Sequence, residues 1–540
     1  MQTQQLQQNM KEKVKVFEDG GIRLLKKGQK GLVHAIFSRF GLVLVLLLLQ
    51  FGALFSLLRW FGQLLPHYLG GTALVTAAMV IYLLNIDMDN SVRITWLVVI
   101  AVLPVLGVPL FWYTKADIGH NALKKRLMDL ESQTRAQLPQ PEGVEQRLEA
   151  DSPGAASLAR YLRGRGGGFP VYGNTAVTYF NGGEAKFAEL LRQLETAEHY
   201  IFLEYFIIDE GLMWGRILEV LARKAAGGVD VRVIYDDFGC VTTLPYQYYK
   251  SLQQMGIKCA AFNQFRPVLN VILNNRDHRK IAVIDGHTAF TGGINLADEY
   301  INRKERFGHW KDSGICLHGE AVWSFTVMFL QMWSTITGME CDFESYRPEI
   351  YHKEAFKKDG FVQPYGDSPL DGETVGEHVY LNIISQAKKY LYIFTPYLIP
   401  DNETLTALCM AAKRGVDVRI VTPGIPDKKI VYILTQANYE ILLESGVQIY
   451  QYTPGFIHSK SFVCDDEVAT VGTINMDYRS MYLHFECGVW MYGSSAVAQV
   501  KEDALITFEQ CEQINMDYCR KKNFAVRALR GALKFLAPLL

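Results

Sequence analysis

The strongest constraint on this chain is a long motif that occurs twice. The first copy is His278-Arg-Lys280-Ile-Ala-Val-Ile-Asp285, followed by Gly292-Gly293-Ile-Asn295. The second is His458-Ser-Lys460-Ser-Phe-Val-Cys-Asp465, followed by Gly472-Thr-Ile-Asn475. Both fit H-x-K-x(4)-D-x(6)-G-x(2)-N. A lone H-x-K recurs by chance, but a pattern this long does not recur by chance in one chain. The sequence is therefore read as two copies of one functional unit.

Each copy runs into β-branched and apolar residues, so it predicts a strand. Strand side chains alternate, which puts His and Lys, two apart, on one face. Ile281, Val283 and Phe462 supply apolar bulk. Asp285-Gly286 and Asp465-Asp466 predict turns, and Gly292-Gly293 predicts a close approach of backbone to a ligand. Asn295 and Asn475 add amide donors. The chemistry that wants these groups is phosphodiester cleavage. Lys280 and Lys460 would hold phosphate oxygens and offset charge developing in the transition state. Imidazole can attack phosphorus or donate a proton near neutral pH. Two histidines supply one nucleophile and one acid, so a covalent phosphohistidine divides one hard step into two. Neither motif alone carries both roles, which is a physical reason for the duplication.

The paired motifs resemble the HKD signature of the phospholipase D superfamily. The resemblance implies two halves packed so that both motifs line one site. It implies His278 as nucleophile and His458 as general acid. It also implies a carboxylate, some 25 to 35 residues after each histidine, that orients the imidazole. The matching positions are Asp312, in His309-Trp310-Lys311-Asp312, and Glu486, in His484-Phe485-Glu486. The expected catalytic set is thus His278, Lys280, Asp285, His458, Lys460 and Asp465. Asn295, Asn475, Asp312 and Glu486 are expected in support.

With 540 residues the chain has room for several domains. A net charge of −1 gives no global basic field for nucleic acid. The nine cysteines are scattered, with no C-x-x-C or His/Cys cluster of zinc-ligand spacing. No metal or other cofactor is expected, and buried reduced thiols lean towards a reducing compartment.

Hydrophobic content is 49%, with the excess near the N-terminus. Residues 1–39 are polar and basic, without a cleavable-signal pattern, because the first apolar run begins too late. Uncharged runs follow at about 41–58, 68–86 and 94–114, each near the ~20 residues that span a bilayer. Trp96 and Trp112-Tyr113 suit the interfaces. The expectation is an α-helical, multi-pass cell-membrane region, with the second run the weakest. The last two runs, through Val92-Arg93-Ile-Thr-Trp96 and Leu103-Pro104-Val-Leu-Gly107, resemble the N-terminal hairpin of bacterial cardiolipin synthases. Three crossings from a cytoplasmic start put the catalytic halves outside; two crossings and a re-entrant segment keep them inside. The sequence leaves both open.

Residues 115–170 predict a helix, Ala122 to Leu138, then a flexible linker. Beyond it the repeat extends past the motifs. Gly228-Val-Asp-Val-Arg-Val-Ile answers Gly415-Val-Asp-Val-Arg-Ile-Val. Strand and helix alternate in both copies, so the fold class expected is α/β. Two similar phospholipase D-like sandwich halves span about 171–340 and 365–515, joined by a polar segment at 341–364. Residues 516–540 form a basic, amphipathic tail suited to an anionic membrane surface.

Near-neutral charge and membrane runs argue against a nuclease. The resemblance to cardiolipin synthases implies joining of two phosphatidylglycerols to give cardiolipin and glycerol. A membrane-bound phospholipase D using water, and a non-catalytic membrane lipid-binding protein, are the alternatives. Phospholipid and membrane are the partners expected; oligomeric state is open. Tyr205, Phe206, Tyr397 and Leu398 follow strand ends and are placed towards lipid.

Overall fold

The structure is a computed structural model. It describes residues 68–86, 88–115, 118–264, 275–340, 342–521 and 530–534, together with a few isolated positions before residue 60 and Ala537. Most of the expected basic tail at 1–39, of the first apolar run and of the C-terminal tail lies outside the described residues. The chain divides into two units. The larger includes residues 124–264 and 275–523, and the smaller includes residues 27–123.

The larger unit contains both repeats. The first builds β1 (Thr175–Phe180), β2 (Tyr200–Tyr205), β3 (Asp230–Asp236), β4 (Lys258–Phe262), β5 (Lys280–Ile284), β6 (Thr288–Gly292) and β7 (Gly314–Gly319). Their order in the sheet is β1-β7-β6-β5-β2-β3-β4. The second builds β8 (Phe361–Asp367), β9 (Tyr390–Phe394), β10 (Asp417–Pro423), β11 (Gln448–Tyr452), β12 (Ser461–Cys464), β13 (Val468–Gly472), β14 (His484–Tyr492) and β15 (Cys511–Ile514). Their order is β8-β14-β13-β12-β9-β10-β11-β15, the same path with one strand added at the edge. Helices Leu212–Ala226 and Asn402–Lys413 cross over between the parallel pairs β2/β3 and β9/β10. The motif strands β5 and β12 run antiparallel in mid-sheet, between β2 and β6 and between β9 and β13.

Strand alternation explains why both sheet faces are covered. Ile201 and Leu203 on β2 share a core with Met213, Trp214, Ile217 and Leu221 of the crossover helix. Phe202 points the other way and stacks on Phe329 at 4.5 Å between ring centroids. Phe329 belongs to helix Val322–Thr337, which is buried along most of its length. A strand apolar on both faces therefore needs a helix on each, as its near-continuous apolar run predicts.

The stretch expected to be a flexible linker is instead largely helical. Helices Val144–Asp151 and Pro153–Arg163 follow the helix Ile118–Thr134. Ser152 caps the second, its hydroxyl accepting from the Ala155 N–H at 3.3 Å, and Leu148 and Leu162 are fully buried. Ser152-Pro153 is a helix-start signal that the Gly-rich composition downstream obscures.

In the smaller unit, helices Tyr68–Asn85, Asn90–Val102 and Pro104–Lys115 gather around Met79, Leu83, Trp96, Ile100 and Phe111. Asp89 caps the second through the Ser91 and Val92 N–H groups. The third apolar run is thus two helices rather than one span. Leu103 leaves helical geometry ahead of Pro104 (φ −132°, ψ 65°), as a residue preceding proline tends to. Among the described residues no helix is long and apolar enough to cross a membrane.

Candidate active site

The two motifs meet inside the larger unit, and each is completed by the other half. Short strand Arg276–Asp277, just before His278, pairs in parallel with His484-Phe485 of the second half. Short strand Gly455–Ile457, just before His458, pairs in parallel with His309–Lys311 of the first. The backbone N–H of His278 donates to the Phe485 carbonyl at 2.9 Å, and that of His458 donates to the Lys311 carbonyl at 2.7 Å. One residue beyond each acceptor stands a carboxylate. Nδ1 of His278 lies 2.8 Å from Oε1 of Glu486, and Nδ1 of His458 lies 2.8 Å from Oδ2 of Asp312. Each carboxylate therefore holds the histidine of the opposite half, whereas spacing along the chain suggests one carboxylate for the motif it follows. Tying Nδ1 sets the tautomer and leaves Nε2 for chemistry.

Close approach of the halves explains the small residues after each motif. A Cβ on Gly293 would collide with the Asp312 carboxylate and sit 2.9 Å from the His458 carbonyl oxygen. The glycine makes room for the Asp312 carboxylate of its own half and the His458 backbone of the other, rather than for a ligand. Its counterpart Thr473 instead donates a hydroxyl hydrogen bond to Glu486. Lys280 and Lys460 are buried, each bonded to the carbonyl oxygen of its own motif histidine.

Other expected site residues serve elsewhere. Asp285 is not at the imidazoles: it follows the far end of β5. Its carboxylate accepts from the backbone N–H groups of Glu198, His199 and Tyr200 at 2.8, 2.9 and 2.7 Å. Asp465 does the same for Lys388, Lys389 and Tyr390 at 2.7, 2.8 and 2.9 Å. Both have positive φ, 48° and 54°, at the turn the sequence predicts. Their place in the catalytic set is corrected: they pin the start of the neighbouring strand. Asp285→Ala is expected to lower stability by on the order of 3 kcal/mol, since it strips the acceptor from partly buried donors. A urea titration measures this; an aspartate of the reaction would instead cost activity at unchanged midpoint.

The asparagine amides are also spent internally. Asn295 accepts from the Ile207 N–H and donates to the Tyr300 hydroxyl at 2.8 Å, and Asn475 donates to Ser480 at 3.0 Å. Tyr205 and Leu398 are buried and do not face lipid. Phe206 packs on the His278 ring at 4.9 Å, and Tyr397 donates to Asp427 at 2.6 Å.

Burial and mutual repulsion dominate the electrostatics. Burial pushes Lys280 down to about 8 and Lys460 to about 7, against the pull of Glu486 and Asp312. Burial first, then Lys280, holds His278 well below the usual imidazole range. Burial and Lys460 bring His458 to about 4, with Asp312 working against them. The carboxylates differ. Burial raises Glu486 well above the ordinary range, whereas His458 and Lys460 overcome burial and keep Asp312 below it. The two imidazoles, both lowered, are thus backed by carboxylates in unlike fields. One consequence is an alkaline limb. As pH rises through about 7 to 8 the lysines lose the charge that attracts phosphate. kcat/KM, which reports the free enzyme and already declines above the His458 value, is expected to fall more steeply there before kcat does, measurable from initial rates across pH 6 to 9.5.

The motif pattern does not single out His484, two residues before Glu486 and so on the same strand face. Its ring centroid is 5.5 Å from that of His278. Nor does it single out the rings around His458: Tyr300, Trp310 and Phe456, with centroids at 5.6, 5.5 and 5.8 Å. Alternation along the two short cross-half segments is the signal that points to His484, Trp310 and Phe456; Tyr300 comes from the short helix Asp298–Ile301.

A sequence model of the family described as cardiolipin synthase, PLD-like domain, matches residues 190–333 and 380–505. An uncharacterised protein of Streptococcus mutans is 48% identical over 461 residues, 85% of this chain and 99% of that protein. A cardiolipin synthase of Halalkalibacterium halodurans is 33% identical over 512 residues, 93% of this chain and all of that one. The crystal structure of phosphatidylserine synthase from Haemophilus influenzae superposes with a TM-score of 0.51 at 16% identity. It covers 67% of this chain and 93% of that one, a likeness of fold. Two HKD half-sites completed across one interface, together with these matches over most of its length, show that the chain belongs to the family of cardiolipin synthases with a PLD-like domain.

Proposed function

We propose that this protein is a cardiolipin synthase, a phosphatidyltransferase that joins two phosphatidylglycerols to give cardiolipin and glycerol. The observation that carries the proposal is the crossed pair of histidine–carboxylate contacts. Two imidazoles, each held by a carboxylate of the opposite half, and two buried lysines support a two-histidine phosphoryl transfer. Nε2 of His278 attacks the phosphorus of the first lipid. A P–N bond forms as the bond from phosphorus to the glycerol oxygen breaks, and His458 gives that oxygen its proton. The terminal hydroxyl of a second phosphatidylglycerol then attacks. Its proton passes to His458, the P–N bond breaks, and His278 returns to the free base. Lys280 and Lys460 face the non-bridging oxygens and offset their charge. Asp312 keeps His458 protonatable, and the phosphodiester's negative charge favours imidazolium further.

The helices of the smaller unit form the membrane-facing region of this reading. Leu74, Ile81, Ile94 and Val102 are 74%, 63%, 55% and 69% exposed, more apolar surface than a water-facing helical hairpin ordinarily shows. Lipid contact gives those side chains a partner and brings phosphatidylglycerol to the enzyme at high local concentration.

The test is purified protein in vesicles of labelled phosphatidylglycerol. Cardiolipin and glycerol should appear in equal amounts, and added glycerol should drive the reaction backwards, because the two phosphate esters are chemically alike. Phosphatidic acid as the main product, unmoved by glycerol or lipid density, identifies a hydrolase and overturns the proposal. No turnover at all leaves a lipid-binding protein.

A further inference from the structure

The two histidines sit in equivalent frames with unlike surroundings. Around His458, the residues two before the carboxylate and two before the histidine are Trp310 and Phe456, both against its ring. Around His278 the same two positions are His484 and Arg276. They stand directly opposite each other in the parallel cross-half strand pair. The side chain of His484 is 10% exposed, and neither of its ring nitrogens has a hydrogen-bond partner among the described residues. Nδ1 is 3.8 Å from Oε1 of Glu486, beyond hydrogen-bond reach. Arg479, at the start of helix Tyr478–Tyr482, and Lys280 and Arg276 lie near enough to repel a proton from the ring. Arg276 is itself steadied by Asp236 at 3.6 Å and by the Phe238 ring at 4.6 Å.

A buried imidazole with no partner is costly unless a ligand uses it. His278, His484 and Glu486 offer ligand atoms within 4.8 Å of one another, a set that can hold a metal ion. The surrounding cations oppose one, and Glu486 is already engaged by His278 and Thr473. The same cations favour an anion. The two rings are 5.5 Å apart between centroids, close enough for one ligand to reach both.

We propose that His484, with Arg276 and Arg479, forms a second phosphate subsite beside His278 that receives the phosphodiester of the acceptor phosphatidylglycerol. The inference rests on the transferase reading and deepens it. In the second step the acceptor hydroxyl oxygen bonds to the phosphorus on His278 and its proton goes to His458. The P–N bond breaks with its electron pair returning to the imidazole. The acceptor's own phosphate, one glycerol away, is unchanged and serves as the handle that sets the hydroxyl in line. Water and free glycerol lack that handle, so the subsite also selects against them.

The test compares two soluble acceptors on phosphatidylglycerol vesicles: glycerophosphoglycerol, which carries the acceptor phosphate, and labelled free glycerol, which does not. Wild-type protein should favour glycerophosphoglycerol in kcat/KM. In His484→Asn and, separately, in Arg479→Gln, that preference should shrink at least tenfold, chiefly through KM for glycerophosphoglycerol. The ratio is internal to each preparation, so partial misfolding cancels. An unchanged preference in both variants, or equal losses towards both acceptors, overturns the subsite. A wild-type protein that transfers to neither acceptor overturns the transferase reading itself, a result distinct from failure of the subsite alone.

Discussion

His278→Asn and His458→Asn are each expected to cut cardiolipin formation by roughly 10²–10⁴-fold or more, the range lost with one acid–base group. The two variants should fail at different steps. Without His278 there is no nucleophile, so no phosphoenzyme forms with any donor. Without His458 the nucleophile stands, but the glycerol leaving group receives no proton. A p-nitrophenyl ester of phosphatidic acid avoids that need, since p-nitrophenolate leaves unaided near neutral pH. His458→Asn should then release p-nitrophenol in a burst of about one per enzyme and stall, because no base remains to activate the acceptor. The stalled protein should carry an acid-labile phosphatidyl group; wild-type protein should turn over. Near-normal turnover of phosphatidylglycerol in either variant ends the two-histidine mechanism. A burst in His278→Asn and none in His458→Asn reverses the roles.

The crossed carboxylates give the second large effect. Asp312→Asn and Glu486→Gln keep size while removing the charge or proton-accepting oxygen behind each imidazole. An amide in place of either carboxylate leaves Nδ1 with a changed partner and disturbs the tautomer that exposes Nε2. Each variant is expected to lose on the order of 10²-fold or more in kcat. The leaving group separates them. Asp312 stands behind His458, so Asp312→Asn should recover much of its first-step rate with the p-nitrophenyl ester. Glu486 stands behind His278, so Glu486→Gln should stay slow with both donors. If each carboxylate served the histidine of its own half, the pattern of rescue would be exchanged, and the contacts at 2.8 Å in both pairs would not be those used in the reaction.

Much of the frame is legible in the residues alone. The strand character of both motifs, the turns at Asp285 and Asp465 and the α/β alternation follow from local rules that act within a few residues. Repetition of a whole pattern carries the rest, since one chain with two copies of a half-site implies that the copies meet. What local rules do not reveal is the use of each residue. Asp285 and Asp465 lie in the motif, yet their carboxylates are consumed by three backbone N–H groups each, at the start of a strand more than seventy residues earlier in the chain. The segment expected to be a linker holds two helices because a Ser-Pro start outweighs the glycines that follow it.

By itself the sequence determined that two H-x-K pairs exist, that each leads into an apolar strand, and that the chemistry is phosphoryl transfer. Only the tertiary structure decided that His278 answers to Glu486 and His458 to Asp312. Those partners are about two hundred and about one hundred and fifty residues apart (208 and 146), and no local periodicity reaches across such a distance. Their pairing depends on two short parallel strand contacts between the halves and on Gly293 being small enough to admit the Asp312 carboxylate. The unlike settings of the two histidines, rings around one and, beside the other, a His484 without a hydrogen-bond partner among the described residues, are decided there too. They arise because the repeat keeps backbone geometry while each half lends different side chains to its neighbour.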